Sequence, residues 1–103
     1  MEKNSKESRK VSFERGGEVR IRREPVGAPG DDQVLVEMKA CGICLYDMKC
    51  FKDPALDPAY AAAPGHEGVG MVAAAGKSVR GLEPGDKVAG FTFGGALSET
   101  YLA

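Results

Sequence analysis

No apolar run in this 103-residue chain approaches the roughly 20 residues that a membrane span requires. The N-terminus, MEKNSKESRKVS, is charged and holds no apolar stretch, so it is not a secretory signal. Excess positive charge is missing too: 28% of the residues are charged, yet the formal net charge is -1. Such a balance lacks the electrostatic footprint of a nucleic-acid binder. The densest basic group, Arg20, Arg22 and Arg23, is flanked by Glu18 and Glu24 and reads as a solvated strand face. Internal repeats, low-complexity tracts and long helical patterns are absent. Cysteine is sparse and odd in number, at three residues. Three thiols behind a non-secretory N-terminus point to a reducing cytoplasm and away from a disulfide framework.

What is present is an ordinary globular composition, 43% apolar, with a length that fits one domain and can bury a real core. The 14 glycines fall between short apolar runs, the pattern of many short strands joined by tight turns. KVSFER (10–15) and EVRIRRE (18–24) flank a Gly-Gly pair and predict a hairpin. QVLVEMKACGI (33–43) is the strongest strand, with Val34, Val36, Met38 and Ala40 expected on one face. CLYDMKCF (44–51) has the character of one or two helical turns, whereas KDPALDPAYAAAP (52–64) reads as irregular. GVGMVAAAG (68–76), KVAGFTF (87–93) and LSETYLA (97–103) predict three further strands, with a turn at RGLEPGD (80–86). The pattern is mostly β, and so many short strands must cover their edges, which favours a barrel-like arrangement. Residues 1–9 are expected to be a loose arm and 10–103 the folded domain. The chain stops at Ala103 inside an alternating apolar pattern, and we expect a fragment of a longer protein.

Chemistry concentrates in CGICLYDMKC (41–50) and PGHEGVGMVAAAG (64–76), which hold all three cysteines and the single histidine. Zinc favours thiolate and imidazole donors. A structural site closes four positions, while a catalytic one uses three protein ligands and keeps one open. Cys41-x-x-Cys44 has the spacing of a zinc knuckle, but its second arm would be a lone Cys50 and a distant His66. Free cysteines are also among the most buried residue types, so all three thiols can be read as small hydrophobes and His66 as a hydrogen-bonded turn residue. For Cys41 and Cys50 that packing reading stands; for Cys44 and His66 the surrounding residues point elsewhere.

ACGICLYD followed by PGHEGVGMVAAAGKSV resembles the medium-chain dehydrogenase/reductase superfamily, of the zinc-dependent alcohol dehydrogenase type. Gly65, His66, Glu67, Gly70, Gly76 and Val79 meet every fixed position of that family's zinc signature. GLEPGDKVAG (81–90), GGALSETYLA and the opening strands extend the likeness over roughly residues 10–103. The resemblance implies a GroES-like, partly open β-barrel with one or two short helical turns. It implies Cys44 and His66 as ligands of a catalytic zinc, with Asp47 holding the histidine through its second ring nitrogen and Glu67 as an acid beside the metal. Tyr46 occupies the place where these enzymes carry Ser or Thr as the first step of a proton relay. Three departures accompany the match: that tyrosine, the missing four-cysteine structural zinc lobe after GDKVAG, and the missing nicotinamide-binding half with the third zinc ligand.

The implied function is that of the N-terminal catalytic domain of a zinc-dependent NAD(P) oxidoreductase. Its zinc would polarise the oxygen of a small-molecule alcohol or carbonyl substrate. NAD or NADP would bind only to a full-length parent, through which a homo-oligomer would also form; this chain alone is expected to be inactive. Neither nucleic acid nor membrane is an expected partner, and the expected location is the cytoplasm. Two other readings stay open: a non-enzymatic GroES-like binding module, and a zinc-free quinone or enoyl reductase relative.

Overall fold

The computed structural model describes residues 7–92 and 94–103. β1 (Glu7–Glu14) and β2 (Glu18–Pro25) form the expected antiparallel hairpin, with Val11 opposite Ile21 and Phe13 opposite Val19. Most of the loose arm expected over residues 1–9 lies outside the described residues, but Glu7, Ser8 and Arg9 already belong to β1. Arg20 and Arg23 of β2 are exposed as expected, whereas Arg22 is half-buried: it donates to the Ala62 carbonyl at 3.0 Å and pairs with Glu24 at 3.4 Å.

Four more strands make a second antiparallel sheet: β3 (Val34–Gly42), β4 (Glu67–Ala75), β5 (Lys87–Phe91) and β6 (Thr100–Leu102), in the order β5-β4-β3-β6. The expected strand over 87–93 thus ends at Phe91. Alternating apolar residues on β3 and β4 bury Val34, Val36 and Val72 as the core, with Val36 directly opposite Val72. Met38, Ala75, Val79 and Val88 pack around them. A register shift between Met38 and Ala40 interrupts the alternation, so Ala40 is exposed rather than sharing the face of Val34, Val36 and Met38. A bulge of this kind adds one residue on one strand and turns the following side chains to the other face.

Gly76, one of the signature glycines, marks where the end of β4 meets the connector before β3. A Cβ there would lie 2.0 Å from the Gly30 carbonyl oxygen, so only glycine permits the approach. The two sheets are laced at one corner. The Val11 amide donates to the Leu97 carbonyl (3.2 Å), the Glu99 amide to the Arg9 carbonyl (3.0 Å), and the Thr100 amide to the buried Ser8 hydroxyl (3.1 Å). Among the described residues the sheets do not close on themselves, and the result is the mostly β, partly open arrangement that was expected.

Between β3 and β4 runs the limb that carries the chemistry. α1 (Leu45–Lys52) follows Cys44, as the sequence suggested. Residues 52–64, expected to be irregular, contain a 3-10 turn at Pro54–Leu56 and a short helix, α2 (Pro58–Ala62). Both begin at an Asp-Pro step. Proline presets the first helical φ and needs no amide donor. At α2 the Asp57 carboxylate also caps the helix, accepting from the Tyr60 amide at 3.2 Å. This ordering carries the buried Tyr60 toward β4.

Candidate metal centre

Cys44 sits at the N-cap of α1 in extended conformation (φ -111°). His66 follows a turn that only glycine can make. Gly65 has φ +100°, and a Cβ on it would lie 2.4 Å from the Leu97 amide nitrogen. That turn is pinned on both sides: the Leu97 amide donates to the Pro64 carbonyl at 3.0 Å, the Ala96 amide to the Gly65 carbonyl at 3.1 Å, and the Thr92 amide to the His66 carbonyl at 2.7 Å. Held in this way, the half-buried His66 Nε2 lies 3.3 Å from Cys44 Sγ across 22 residues of sequence.

Asp47 is buried, only 1% exposed, beneath this pair. Its Oδ2 accepts from the Cys44 amide at 2.9 Å and its Oδ1 from the Tyr60 hydroxyl at 2.5 Å. Burial pushes its carboxyl up, but the bonds from the Cys44 amide and the Tyr60 hydroxyl outweigh that and hold it below the usual range. Burial, and then the carboxylate of Asp47, raise the Tyr60 phenol. The same hydroxyl lies 2.7 Å from His66 Nδ1 and accepts from the Gly65 amide at 3.0 Å. Tyr60 thus links Asp47, expected to hold His66 through its second ring nitrogen, to that nitrogen. One ligand-type atom from each of Cys44, Asp47 and His66 lies within 4.8 Å of the others.

Glu67 is at the edge of this group, its Oε2 3.8 Å from His66 Nε2 and its side chain about half exposed. The Tyr46 hydroxyl donates to Asp57, and its ring meets that of Tyr60 edge-on at 5.0 Å. The bond to Asp57, with burial and the carboxylate charge, pushes the Tyr46 phenol up to about 12, so it keeps its proton at neutral pH. Cys50 is fully buried, and burial raises its thiol. Cys41 is half-buried with Sγ 3.5 Å from its neighbour's carbonyl, and burial raises its thiol as well. Neither belongs to the Cys44–Asp47–His66 group.

The donor set fits zinc: a cysteine sulfur and an imidazole nitrogen face one another, and a carboxylate behind them is already engaged through both oxygens. Tyr60 is the residue that sequence reasoning missed. Its only signal is indirect, the Asp-Pro cap at 57–58 that places position 60 in the first turn of a helix.

The family model of the alcohol dehydrogenase GroES-like domain matches residues 30–100. Alcohol dehydrogenase 1 of Artemisia annua is 37% identical over 78 residues, covering 76% of this chain and 20% of that relative. The solved human synaptic vesicle membrane protein VAT-1 homolog-like protein superposes with a TM-score of 0.80 at 30% identity, covering 95% of this chain and 33% of that one. A quinone oxidoreductase from Pseudomonas syringae superposes with a TM-score of 0.72, also at 30% identity, over 92% of this chain and 30% of that one. The chain thus spans about a fifth of the length of the first of these relatives.

Proposed function

The chain belongs to the alcohol dehydrogenase GroES-like domain family, and on that footing we propose that it carries the zinc-binding catalytic centre of an NAD(P)-dependent oxidoreductase acting on an alcohol/carbonyl pair. The observation that carries this reading is the facing pair of Cys44 Sγ and His66 Nε2, 3.3 Å apart and backed by a buried carboxylate. Cys44 as thiolate and His66 through Nε2 hold the metal. Bound there, zinc supplies a Lewis acid that polarises the substrate oxygen. Glu67 adds negative charge beside the cation and offsets part of its charge.

Tyr46 is our candidate for the proton step. Its hydroxyl hydrogen points at Asp57, so its oxygen lone pairs accept a substrate proton as its own passes to that half-buried carboxylate. In the whole protein, Tyr46→Phe is expected to lower kcat/KM roughly 100-fold or more, the usual scale of general acid–base catalysis. Nicotinamide binding, the third zinc ligand and subunit contacts are assigned to the rest of the whole protein. No helix among the described residues is long and apolar enough to cross a membrane. Three free thiols suit a reducing cytoplasm.

A second reading, a zinc-free reductase, draws on the likeness to the quinone oxidoreductase and on the phenol at position 46. Metal content after dialysis separates the two. Zinc retained by the wild type and by Cys41→Ser, but lost by Cys44→Ser and by His66→Ala, is the expected result. A whole protein without zinc would overturn the proposal in favour of the second reading.

A further inference from the structure

Tyr60 lies outside every motif of the sequence, yet its hydroxyl is the hub of the buried cluster. We infer that Tyr60 is a positioning residue that fixes the ring proton of His66 on Nδ1 and thereby turns the Nε2 lone pair toward Cys44. The inference deepens the zinc reading and rests on it for its consequence in metal affinity, but the proton's place is a property of this chain alone.

Counting donors and acceptors leads there. A phenol offers one hydrogen and two oxygen lone pairs. Three groups converge on that oxygen: Asp47 Oδ1 at 2.5 Å, the Gly65 amide at 3.0 Å and His66 Nδ1 at 2.7 Å. A backbone amide only donates, and a carboxylate only accepts. The phenol hydrogen therefore goes to Asp47, and one lone pair takes the Gly65 amide. His66 Nδ1 must then donate to the remaining lone pair. A bare Nδ1 would set two lone pairs against each other at 2.7 Å.

With the proton on Nδ1, a neutral ring keeps its lone pair on Nε2, the atom 3.3 Å from Cys44 Sγ. Tyr60 itself is well anchored. Its amide is the one capped by Asp57, its ring is buried, and Tyr46 packs edge-on against it. A single carboxylate thus orients both halves of the site. It reaches Cys44 through the backbone amide and His66 through the tyrosine. Partners of this kind set the tautomer and the basicity of a ligand histidine, and their loss costs about 10–100-fold in metal affinity.

The test uses the single histidine, whose ring gives one set of signals. Long-range proton–nitrogen correlation spectra are recorded on the 15N-labelled, chelator-treated chain in mildly alkaline buffer, where imidazole is neutral. The expected spectrum shows Nδ1 as the protonated nitrogen; a proton on Nε2 with a bare Nδ1 would overturn the inference. Tyr60→Phe keeps the ring and removes the hydroxyl, and should shift the proton toward Nε2. Titrated with zinc alone against a competing chelator, that variant should bind about 10–100-fold more weakly than wild type. A tyrosine that only fills space predicts a lower melting temperature with the ring proton and zinc affinity unchanged, and that outcome contradicts us. If the wild-type whole protein takes up no zinc, the metal reading fails, while the spectrum still decides the position of the proton.

Discussion

Two buried regions among the described residues are built on opposite principles. Between β3 and β4 the core is apolar: Val34, Val36 and Val72 meet by burial, which is non-directional and tolerates exchange of similar volumes. Under α1 and α2 the buried cluster is polar. There Asp47, Tyr60 and His66 are joined by short, directional bonds, and each group fixes the next. Burying a carboxylate is costly unless its oxygens are satisfied, and here both are. The first region makes the domain stable; the second aims two side chains at one point. Their separation implies that stability and metal affinity can be changed independently.

The largest expected effect comes at the turn that aims His66. Gly65→Ala forces a side chain into φ +100° and drives its Cβ to 2.4 Å from the Leu97 amide. Backbone strain of about 1–3 kcal/mol and overpacking of about 1–3 kcal/mol together predict a loss of roughly 3 kcal/mol in denaturant unfolding. Zinc affinity should fall with it, because His66 is the next residue. Val72→Ala comes next, at about 2 kcal/mol, with zinc affinity of the folded molecules unchanged. Asp47→Asn should weaken zinc by about 10–100-fold in a chelator competition. Were Val72→Ala to weaken zinc as much as Asp47→Asn, the division into two regions would collapse. Cys50→Ser buries a hydroxyl in place of a thiol and should cost about 1–3 kcal/mol, again without loss of zinc.

The smallest effect lies at the corner that laces the sheets. Glu99 accepts from the Arg9 side chain and amide, both at 2.8 Å, and these bonds hold its carboxyl below the usual range. A depressed carboxyl contributes stability that is fully present above its unfolded pKa and is lost as pH falls through its folded value. The pair is exposed, so the contribution is slight and screened by salt. Glu99→Gln should therefore lower the melting temperature slightly near neutrality and narrow the gap between variant and wild type in acid. An equal gap at both pH values would contradict this assignment.

How far the sequence alone reveals these regions follows from the same contrast. Alternation exposes β3 because burial on one face leaves a period of two, and Val34 and Val36 were readable from it. Ala40 was not, since a bulge adds a residue without marking the pattern. The order in 52–64 was hidden by its prolines, which there start helices behind Asp53 and Asp57 rather than break the chain. Cys44, Asp47 and His66 could be named because a family motif carries them. Tyr60 could not: its role exists only once α2 folds and brings it between Asp47 and the histidine ring, and no spacing in the sequence records that closure.

The central claim, that Cys44 and His66 face one metal ion, is tested most directly by cobalt substitution of the whole protein. Cobalt(II) bound through a thiolate gives a sulfur-to-metal charge-transfer absorption. The account predicts that band in wild type and in Cys41→Ser, its loss in Cys44→Ser, and in His66→Ala a weakened uptake of cobalt. A band that persists in Cys44→Ser and vanishes in Cys41→Ser would place the metal on the other thiol and contradict the account.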